Sequence, residues 1–239
     1  LMTGTDKWVW NVGDFALHDA DAKKPHMLMR LFARSGDCFI TEYIDQTDPR
    51  RSGFGKGARS IMINSPKHLV NPADYHISIN SMTLCGAHAK AILDGIKRQT
   101  RHEFGSREYG DIGDYIWIKE PICEVGGYAH YLSTMTEPAL RTKWRWERNH
   151  VKSSRMPQFM CRIFVKITNK WTEPLGEIRT QDAILEGLRY VNGLYVNDLM
   201  PSQSFYDPRQ AFQQSWKLLH NGNYNPNMWV EVIEFERVY

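Results

Sequence analysis

Short runs in which apolar and polar residues alternate make up the first quarter of the chain. They cover residues 8–17, 27–33, 38–44 and 60–63, and clusters of Gly, Pro, Ser, Asp and Lys separate them. A period of two, with turn residues between the runs, is typical of β-strands joined by short connections. The pattern therefore predicts that residues 1–75 form a small β-barrel.

The apolar spacing changes after residue 75, where the first helical pattern occurs. Ala89, Ile92, Leu93 and Ile96 follow the spacing i, i+3, i+4, i+7 of one helix face. Gly95 is a suitable stop, because glycine adopts the left-handed conformation that ends many helices. A short helix is therefore predicted here.

Strands are predicted again further along the chain. Residues 114–120 and 161–168 are predicted to be strands. In the second one, apolar residues alternate with positions that are expected to be partly exposed to solvent. Residues 228–238 are apolar on both faces, which is typical of a central strand. The stretch from Trp229 to Phe235 is expected to lie in the core.

Two more helices are predicted from the residues at which they begin. Thr180 is a favourable N-cap for a helix over 181–186 that Gly187 closes, and Asp207 followed by a proline opens a longer helix. Three apolar residues of the longer helix share a stripe, namely Phe212, Trp216 and Leu219. The predicted fold class is mainly β with short helices (α+β). Two domains are predicted, residues 1–75 and residues 76–239.

Composition and charge exclude several classes of protein. The 239 residues are 42% hydrophobic, 24% charged and 12% aromatic, which indicates folded domains and excludes disorder over most of the length. The formal charge of +3 is too small for a strongly basic nucleic-acid coat, so a polyanion site must be a local patch. No apolar run approaches the roughly 20 residues that span a bilayer, and no secretory signal is recognised at the start. We expect a cytoplasmic protein.

Metal and cofactor motifs are not found. The cysteines are Cys38, Cys85, Cys123 and Cys161, which stand far apart without a C-x-x-C pair. Such cysteines are typical of buried reduced thiols rather than of zinc sites or disulfide frameworks. The histidines lack metal-binding spacing as well. The sequence predicts neither a metal nor a cofactor.

Five motifs follow one another between residues 91 and 238. They are AILDGIKRQTR (91–101), GDYIWIKEP (113–121), MPQFMCRIFVKIT (156–168), EIRTQDAILEGL (177–188) and NPNMWVEVIEFERV (225–238). In this order they resemble the ASCH-domain family, in the form found in many phage and prophage proteins, over about residues 76–239. The resemblance implies a PUA-like fold, a small mixed β-barrel flanked by short helices, and a nucleic-acid context. Residues 1–75 are similar to the SH3-like barrels of Tudor and KOW modules, which implies a surface that could dock a phage protein.

A smaller bacterial relative of ASCH domains, the 4-acetylcytidine amidohydrolase, uses a lysine, a threonine and a glutamate. The resemblance places these roles on Lys97, Thr100 and Glu186. A threonine hydroxyl needs a base to remove its proton, and a lysine acts as that base only when burial or a neighbouring cation, such as Arg101, depresses its pKa. The glutamate would shuttle a proton. Each residue also has an ordinary alternative, as a helix-end cation, a strand residue and a surface acid.

A basic, tryptophan-containing stretch between residues 141 and 155 is the second candidate site. It consists of Arg141, Lys143, Trp144, Arg145, Trp146, Glu147, Arg148, Lys152 and Arg155. Cations attract a phosphate chain and aromatic faces stack on unpaired bases. If about six cations met phosphates, the single-strand salt slope would be near −4. The alternative is a solvent-exposed basic loop whose tryptophan side chains pack into the barrel.

Three residues of the 114–120 strand are candidate walls of a base pocket. Tyr115 and Trp117 could stack on a base, and Lys119 could close the pocket with a polar contact, beside Glu120. The alternative is that the two aromatic residues belong to the core.

The resemblance and the candidate residues together imply three function classes. The first is a phage-type ASCH protein whose cleft accepts a nucleobase, nucleoside or single strand and hydrolyses an acyl amide on a modified cytidine. The second is a non-catalytic module that binds RNA, more readily than DNA. The third is a phage structural or interaction protein, and fold analogy alone does not separate the three.

Overall fold

The computed structural model describes residues 15–18, 27–35, 38–46, 61–64, 69–70, 77–138 and 142–238, and before residue 77 it describes the side chains of residues 29–31 only. The chain divides into two compact units, Leu1–Ile77 with Val238–Tyr239, and Ser78–Arg237. Within the described ranges the chain is mainly β with a few short helices, as predicted. None of the helices in these ranges has the length and apolar character needed to cross a bilayer.

The first unit contains a sheet of five antiparallel strands in the order β4-β3-β2-β1-β5. The strands are β1 (Phe15–His18), β2 (Met27–Ser35), β3 (Cys38–Gln46), β4 (Ile61–Asn64) and β5 (Leu69–Val70). Each predicted run of alternation overlaps one of the first four strands. Much of residues 1–75 lies outside the described residues, so the SH3-like barrel and its docking of a phage protein stay predictions.

The second unit contains eleven strands and three α-helices among the described residues. The strands are β6 (Ile79–Thr83), β7 (Gln99–Glu103), β8 (Tyr115–Lys119), β9 (Ile122–Val125), β10 (Tyr128–Tyr131), β11 (His150–Val151), β12 (Phe164–Pro174), β13 (Arg189–Val191), β14 (Leu194–Val196), β15 (Ser204–Phe205) and β16 (Trp229–Arg237). The helices are α1 (Gly86–Leu93), α2 (Thr180–Leu185) and α3 (Pro208–Leu219).

A mixed five-stranded sheet organises this unit. Its order is β6-β8-β12-β16-β7, with β6 parallel to β8 and the other neighbours antiparallel. Two three-stranded sheets, β10-β9-β11 and β13-β14-β15, complete the described strands. The predicted central strand is confirmed, because β16 lies between β12 and β7. Buried aliphatic residues of β8, β12, β16 and α1 form one core cluster, and α2 and α3 pack on the other end of β12 and β16 to form a second.

Three local predictions about helix ends are borne out by the structure. Gly95 has a φ of +74° just after α1, a conformation that glycine adopts without steric cost. Gly187 follows α2 with a φ of +111°. Asp207 caps α3, because its side chain accepts a hydrogen bond from the Arg209 backbone N–H.

Several details of the sequence prediction are wrong. Thr180 is the first residue of α2 rather than its cap, since Arg179 occupies the N-cap position and makes no side-chain cap bond. β12 begins at Phe164 instead of residue 161, and this phenylalanine is fully buried because the start of β12 is covered on both faces. Trp229 is 56% exposed rather than part of the core, because it stands at the start of β16.

Candidate functional site

The turn between α1 and β7 positions Lys97 and Thr100. After Gly95 the chain folds back on the helix, and the backbone N–H groups of Ile96 and Lys97 both donate to the carbonyl of Ala91, at 2.9 and 3.0 Å. β7 then pairs with β16, with Thr100 opposite Ile233. The lysine therefore lies directly before an ordered edge strand of the main sheet.

The end of α2 brings Glu186 to the same place. The backbone N–H of Arg98 donates to the carbonyl of Leu185 at 2.8 Å, which ties the two segments together. Gly187 packs closely as well, since a Cβ on this residue would lie 3.4 Å from Cβ of Lys97. The absence of a side chain and the positive φ at this glycine allow the close approach.

Lys97 and Glu186 form a buried ion pair. The Nζ atom of Lys97 donates to Oε2 of Glu186 at 2.6 Å and to its backbone oxygen at 2.9 Å. The lysine side chain is 0% exposed and that of the glutamate is 8% exposed. A buried charge of this kind is tolerated when a partner of opposite charge satisfies it.

Arg101 extends the pair into a network of two cations and two carboxylates. Its Nη1 atom donates to Oε1 of Glu186 at 2.8 Å, and its Nε and Nη2 atoms donate to Oε1 of Glu173 at 3.0 and 2.8 Å. Lys97 and Arg101 therefore hold the two oxygens of Glu186 from different sides. The network is balanced in charge, with the side chain of Arg101 fully buried.

Sequence reasoning missed Glu173 and the residues around it. The indole N–H of Trp171 donates to Oε2 of Glu173 at 2.8 Å, and Nε2 of Gln99 donates to Asp182 at 3.1 Å. Glu173 lies on β12 and Arg101 on β7, and β16 separates the two strands in the sheet. Only the strand order brings this acid to the arginine, so no spacing along the chain could have indicated it.

A cavity of about 150 Å³ lies beside the network. Thr100, Arg101 and Glu186 line it, whereas Lys97 is not part of the wall and contacts the wall through Glu186. The other lining residues are Met82, Thr83, Leu84, His88, His102, Tyr109, Leu188, Asn197, Phe212, Ser215, Trp216, Leu219 and His220. A cavity of roughly this volume can hold a single aromatic ring.

Two histidines in the cavity wall have lowered pKa values. Burial lowers the pKa of His88 well below its usual range, and the charge of Lys97 lowers it further. Burial also lowers the pKa of His102, against the opposing effect of Glu231, whose Oε2 lies 2.9 Å from its Nε2. No group of three or more His, Cys, Asp or Glu able to hold a metal ion occurs in the described part of the chain.

The aromatic candidates on β8 lie elsewhere. Tyr115 and Trp117 are 5% and 9% exposed in the main sheet, and neither they nor Lys119 belong to the wall of the cavity next to Thr100. The Nζ atom of Lys119 lies 4.9 Å from the centre of the Trp117 ring, a cation–π contact. Glu120 is fully buried and accepts from Arg162 at 2.7 and 2.8 Å.

A second concave surface, the basic groove, has a volume of about 640 Å³. It is lined by Arg145, Trp146, Glu147, Arg148, His150, Val151, Lys152, Ser154 and Arg155. Its four lysine and arginine side chains are on exposed residues, and none has an ion-pair partner among the residues that the structure describes. The groove therefore carries a local excess of positive charge on a chain whose net charge is small.

Aromatic rings lie within and beside this groove. The rings of Trp144 and Trp146 are 4.8 Å apart, and the guanidinium of Arg145 lies 5.3 Å from the Trp146 ring and 5.5 Å from the Phe159 ring. Both tryptophans are partly exposed. Lys143 is exposed and pairs through its backbone with Tyr128 rather than lining the groove.

Two other observations complete the basic stretch. Arg141, the remaining predicted cation, lies outside the described residues. The contact with Phe159 was missed by sequence analysis, because this residue stands in a separate 3-10 turn, Gln158–Met160.

Comparisons with known proteins give no sequence match and a weak structural one. No protein-family model matches the chain, and no curated protein matches it. One similar solved structure is the ASCH domain from Lactobacillus crispatus JV V101, with 13% identity, a TM-score of 0.36, and coverage of 71% of this chain and 86% of that one. Another is protein EF3133 from Enterococcus faecalis V583 (DUF984), with 10% identity, a TM-score of 0.35, and coverage of 70% and 82%.

The first of these structures is an ASCH domain, the family that the five sequence motifs resemble. The side chains of this chain form a buried ionic network beside a small cavity, and an exposed basic groove.

Proposed function

We propose that the cavity is the active site of an amidohydrolase that removes an acyl group from the exocyclic nitrogen of a modified cytidine, with 4-acetylcytidine as the first substrate to test. The observation that carries this proposal is the buried contact between Lys97 and Glu186 at a cavity whose wall contains Thr100. The resemblance of the motifs to ASCH domains, with their PUA-like barrel, supports the same choice of substrate class.

Nζ of Lys97 is held by Glu186, the residue through which the lysine contacts the cavity wall. An ammonium group has three N–H donors, and two of the acceptors around Nζ of Lys97 belong to Glu186. The carboxylate at 2.6 Å can take a proton from the ammonium, which gives a neutral amine. The amine can then take the proton of the Thr100 hydroxyl.

The reaction has two halves with balanced protons. Oγ of Thr100 attacks the acyl carbon while its proton moves to Lys97, and the C–N bond breaks as the leaving nitrogen receives a proton through Lys97 or Glu186. An acyl ester on Thr100 remains. Water then attacks the ester, with the same pair taking a proton from it, and releases the carboxylic acid and the threonine hydroxyl.

Arg101 has a positioning role in this scheme. Its Nε, Nη1 and Nη2 atoms already donate to Glu173, Glu186 and Gln99. It therefore holds the carboxylate of Glu186 in place and leaves little hydrogen-bonding capacity for a substrate. The size of the cavity supports a substrate that inserts one ring rather than a stretch of polymer.

The test compares two threonines that line the same cavity. Purified wild-type protein, Thr100→Ala and Thr83→Ala are incubated with 4-acetylcytidine, and acetate and cytidine are followed by mass spectrometry. We expect turnover by the wild type and by Thr83→Ala, and a loss of at least about a thousandfold in Thr100→Ala, as for removal of other catalytic nucleophiles. Equal turnover by Thr100→Ala would contradict the assignment.

The basic groove supports a second function, the binding of single-stranded nucleic acid, for which RNA is our first choice. Its exposed cations suit a phosphate chain, and the partly exposed rings of Trp144 and Trp146 suit unstacked bases. This activity is compatible with the first one, and it would remain if the cavity had no catalytic role.

A salt titration tests the groove. If its four cations each meet one phosphate, the affinity for single-stranded RNA should fall with salt at a slope of roughly −3 in log units. No affinity at low salt would exclude the nucleic-acid function. A folded protein that neither binds RNA nor hydrolyses 4-acetylcytidine would leave the third class, a phage structural or interaction protein.

A further inference from the structure

The cavity wall contains a second buried polar pair, Asn197 and Ser215, that the proposed chemistry does not use. Asn197 follows β14 and Ser215 lies on α3. They are 4% and 5% exposed, and both line the cavity together with Thr100 and Glu186. Polar groups this deeply buried are held in place by their hydrogen bonds.

The hydrogen bonds of this pair fix the orientation of the amide. The Ser215 hydroxyl donates its only proton to the carbonyl of Ala211 at 2.8 Å, so its oxygen can only accept from Asn197 at 2.8 Å. The contacting atom must therefore be the amide nitrogen. The other amide atom accepts from the backbone N–H of Leu199 at 2.8 Å, as only the carbonyl oxygen can.

The fixed amide keeps unused hydrogen-bonding capacity. One N–H of Nδ2 and one lone pair of Oδ1 remain on Asn197, and the described residues offer them no further partner. The neighbouring wall is aromatic, with Phe212 and Trp216 at 5% and 4% exposure and Tyr109 at 8%. Aromatic faces and a single oriented amide are what a pocket needs to hold a flat heterocycle and read its edge.

We propose that Asn197 is the specificity-determining residue of the cavity and that it selects cytosine over uracil by a paired hydrogen bond to the base edge. The inference rests on the proposed function, because it takes the cavity as a nucleobase site. Cytosine presents a donor at N4 and an acceptor at N3, and an N4-acyl group leaves one N–H there. Uracil presents these two groups in the opposite order, so an amide that cannot flip matches only one of the two bases.

Binding without turnover tests this inference. The Thr100→Ala variant serves as a background that binds but does not cleave, and calorimetry measures its affinity for 4-acetylcytidine, cytidine and uridine. Adding Asn197→Ala should weaken the binding of both cytidines about tenfold to a hundredfold, as expected for a lost bidentate contact, and should abolish their advantage over uridine. The matched control is Asn223→Ala, which removes an exposed asparagine outside the cavity.

A second variant separates base selection from support of the fold. Ser215→Ala removes one of the two hydrogen bonds that fix the amide of Asn197, and the bond from the Leu199 backbone N–H remains. We expect the affinity for cytidine to stay within about fivefold, while the preference for cytidine over uridine shrinks without vanishing. If the pair of Asn197 and Ser215 only supported the fold, Ser215→Ala would lower both affinities alike, and that result would overturn the inference. This variant keeps the inference testable even if Asn197→Ala fails to fold.

The outcomes keep the two proposals apart. Asn197-dependent binding of cytidine by a protein that cleaves no 4-acetylcytidine would overturn the hydrolase and leave the base reader. Turnover of 4-acetylcytidine that is unchanged in Asn197→Ala, with unchanged preference over uridine, would overturn the base reader and leave the hydrolase. Neither binding nor turnover in a folded protein would overturn both.

Discussion

The cavity and the basic groove both contain cations, and they hold them in opposite ways. In the network beside the cavity, Lys97 and Arg101 have side chains that are 0% exposed, and each donates to a carboxylate within 3 Å. In the groove, four exposed cations stand beside one glutamate and have no ion-pair partner among the described residues. Lysine and arginine thus occur once in a fixed, buried ionic network and once as exposed positive charges on a groove.

The difference follows from the free energy of burying charge. A buried cation is stable only when a carboxylate partner lies within hydrogen-bonding distance. The ion pairs beside the cavity therefore hold the charged side chains in fixed positions. An exposed cation keeps its hydration and acts on other charges over about a Debye length, roughly 8 Å at physiological salt. The first arrangement suits chemistry on one small ligand, and the second suits attraction of a long polyanion.

The largest effect on stability is expected at Glu186. Glu186→Gln removes the one carboxylate that pairs with buried Lys97 among the described residues and leaves Arg101 with Glu173. The free energy of unfolding should therefore fall by about 3–5 kcal/mol. Urea unfolding measures the change. Glu177→Gln, at an exposed glutamate before α2, should change it by less than about 0.5 kcal/mol. Equal small effects in both variants would mean that the network is not held as a buried unit.

The next effect concerns the charge of the basic groove. Reversing Arg145 and Arg148 to glutamate should weaken the binding of single-stranded RNA about a hundredfold at low salt and reduce the steepness of the salt slope by roughly 1.4, from two lost phosphate contacts. Fluorescence anisotropy across a salt series measures both quantities. Reversal of Arg107 and Arg179, which are exposed outside the groove, is the matched control. A similar loss in the control would show that only the net charge matters.

Removal of an aromatic face should have a smaller effect of a different kind. Trp146→Ala should weaken RNA binding about tenfold, from stacking of roughly 1–3 kcal/mol, and leave the salt slope unchanged because no cation is lost. Trp229→Ala removes a tryptophan that is 56% exposed on β16 and should leave binding unchanged. A changed slope in Trp146→Ala would indicate that the ring only supports Arg145.

The smallest effect concerns the pH dependence of folding. The pKa of His88 is lowered in the folded protein, so below its usual value near 6.5 the unfolded chain binds one more proton than the folded one. Stability should therefore fall with decreasing pH in that range, by at most about 1.4 kcal/mol per pH unit from this residue. His88→Gln should flatten the dependence measured by urea unfolding from pH 7 to 5. The control His150→Gln, at an exposed histidine, should not.

Local physics made the helix ends and the central strand predictable from the sequence. Gly95 and the Asp207 cap act within a few residues of the chain, and the apolar faces of β16 reflect its place in the sheet. Thr180 misled the prediction because a good capping residue can also stand one position inside a helix. The unexpected exposure of Trp229 arises at a strand end, where residue type alone does not indicate burial.

The candidate site was predictable only as far as the motifs reached. Lys97, Thr100 and Glu186 came from the resemblance, and the contact between the lysine and the glutamate joins residues 89 positions apart. The links from Arg101 to Glu173 and from Asn197 to Ser215 depend on strand order and on the packing of α3. Contacts of this kind require the three-dimensional fold, which the pattern of single residues does not contain.

The proposal that the cavity and the basic groove are two separate sites is tested most directly by assaying two variants for both activities. Thr100→Ala and the double reversal of Arg145 and Arg148 are each assayed for acetate release from 4-acetylcytidine and for binding of single-stranded RNA. The account predicts that the first variant loses turnover and keeps RNA binding, whereas the second keeps turnover of the free nucleoside and loses RNA binding. Loss of both activities in either correctly folded variant, or no change in turnover for Thr100→Ala, would contradict it.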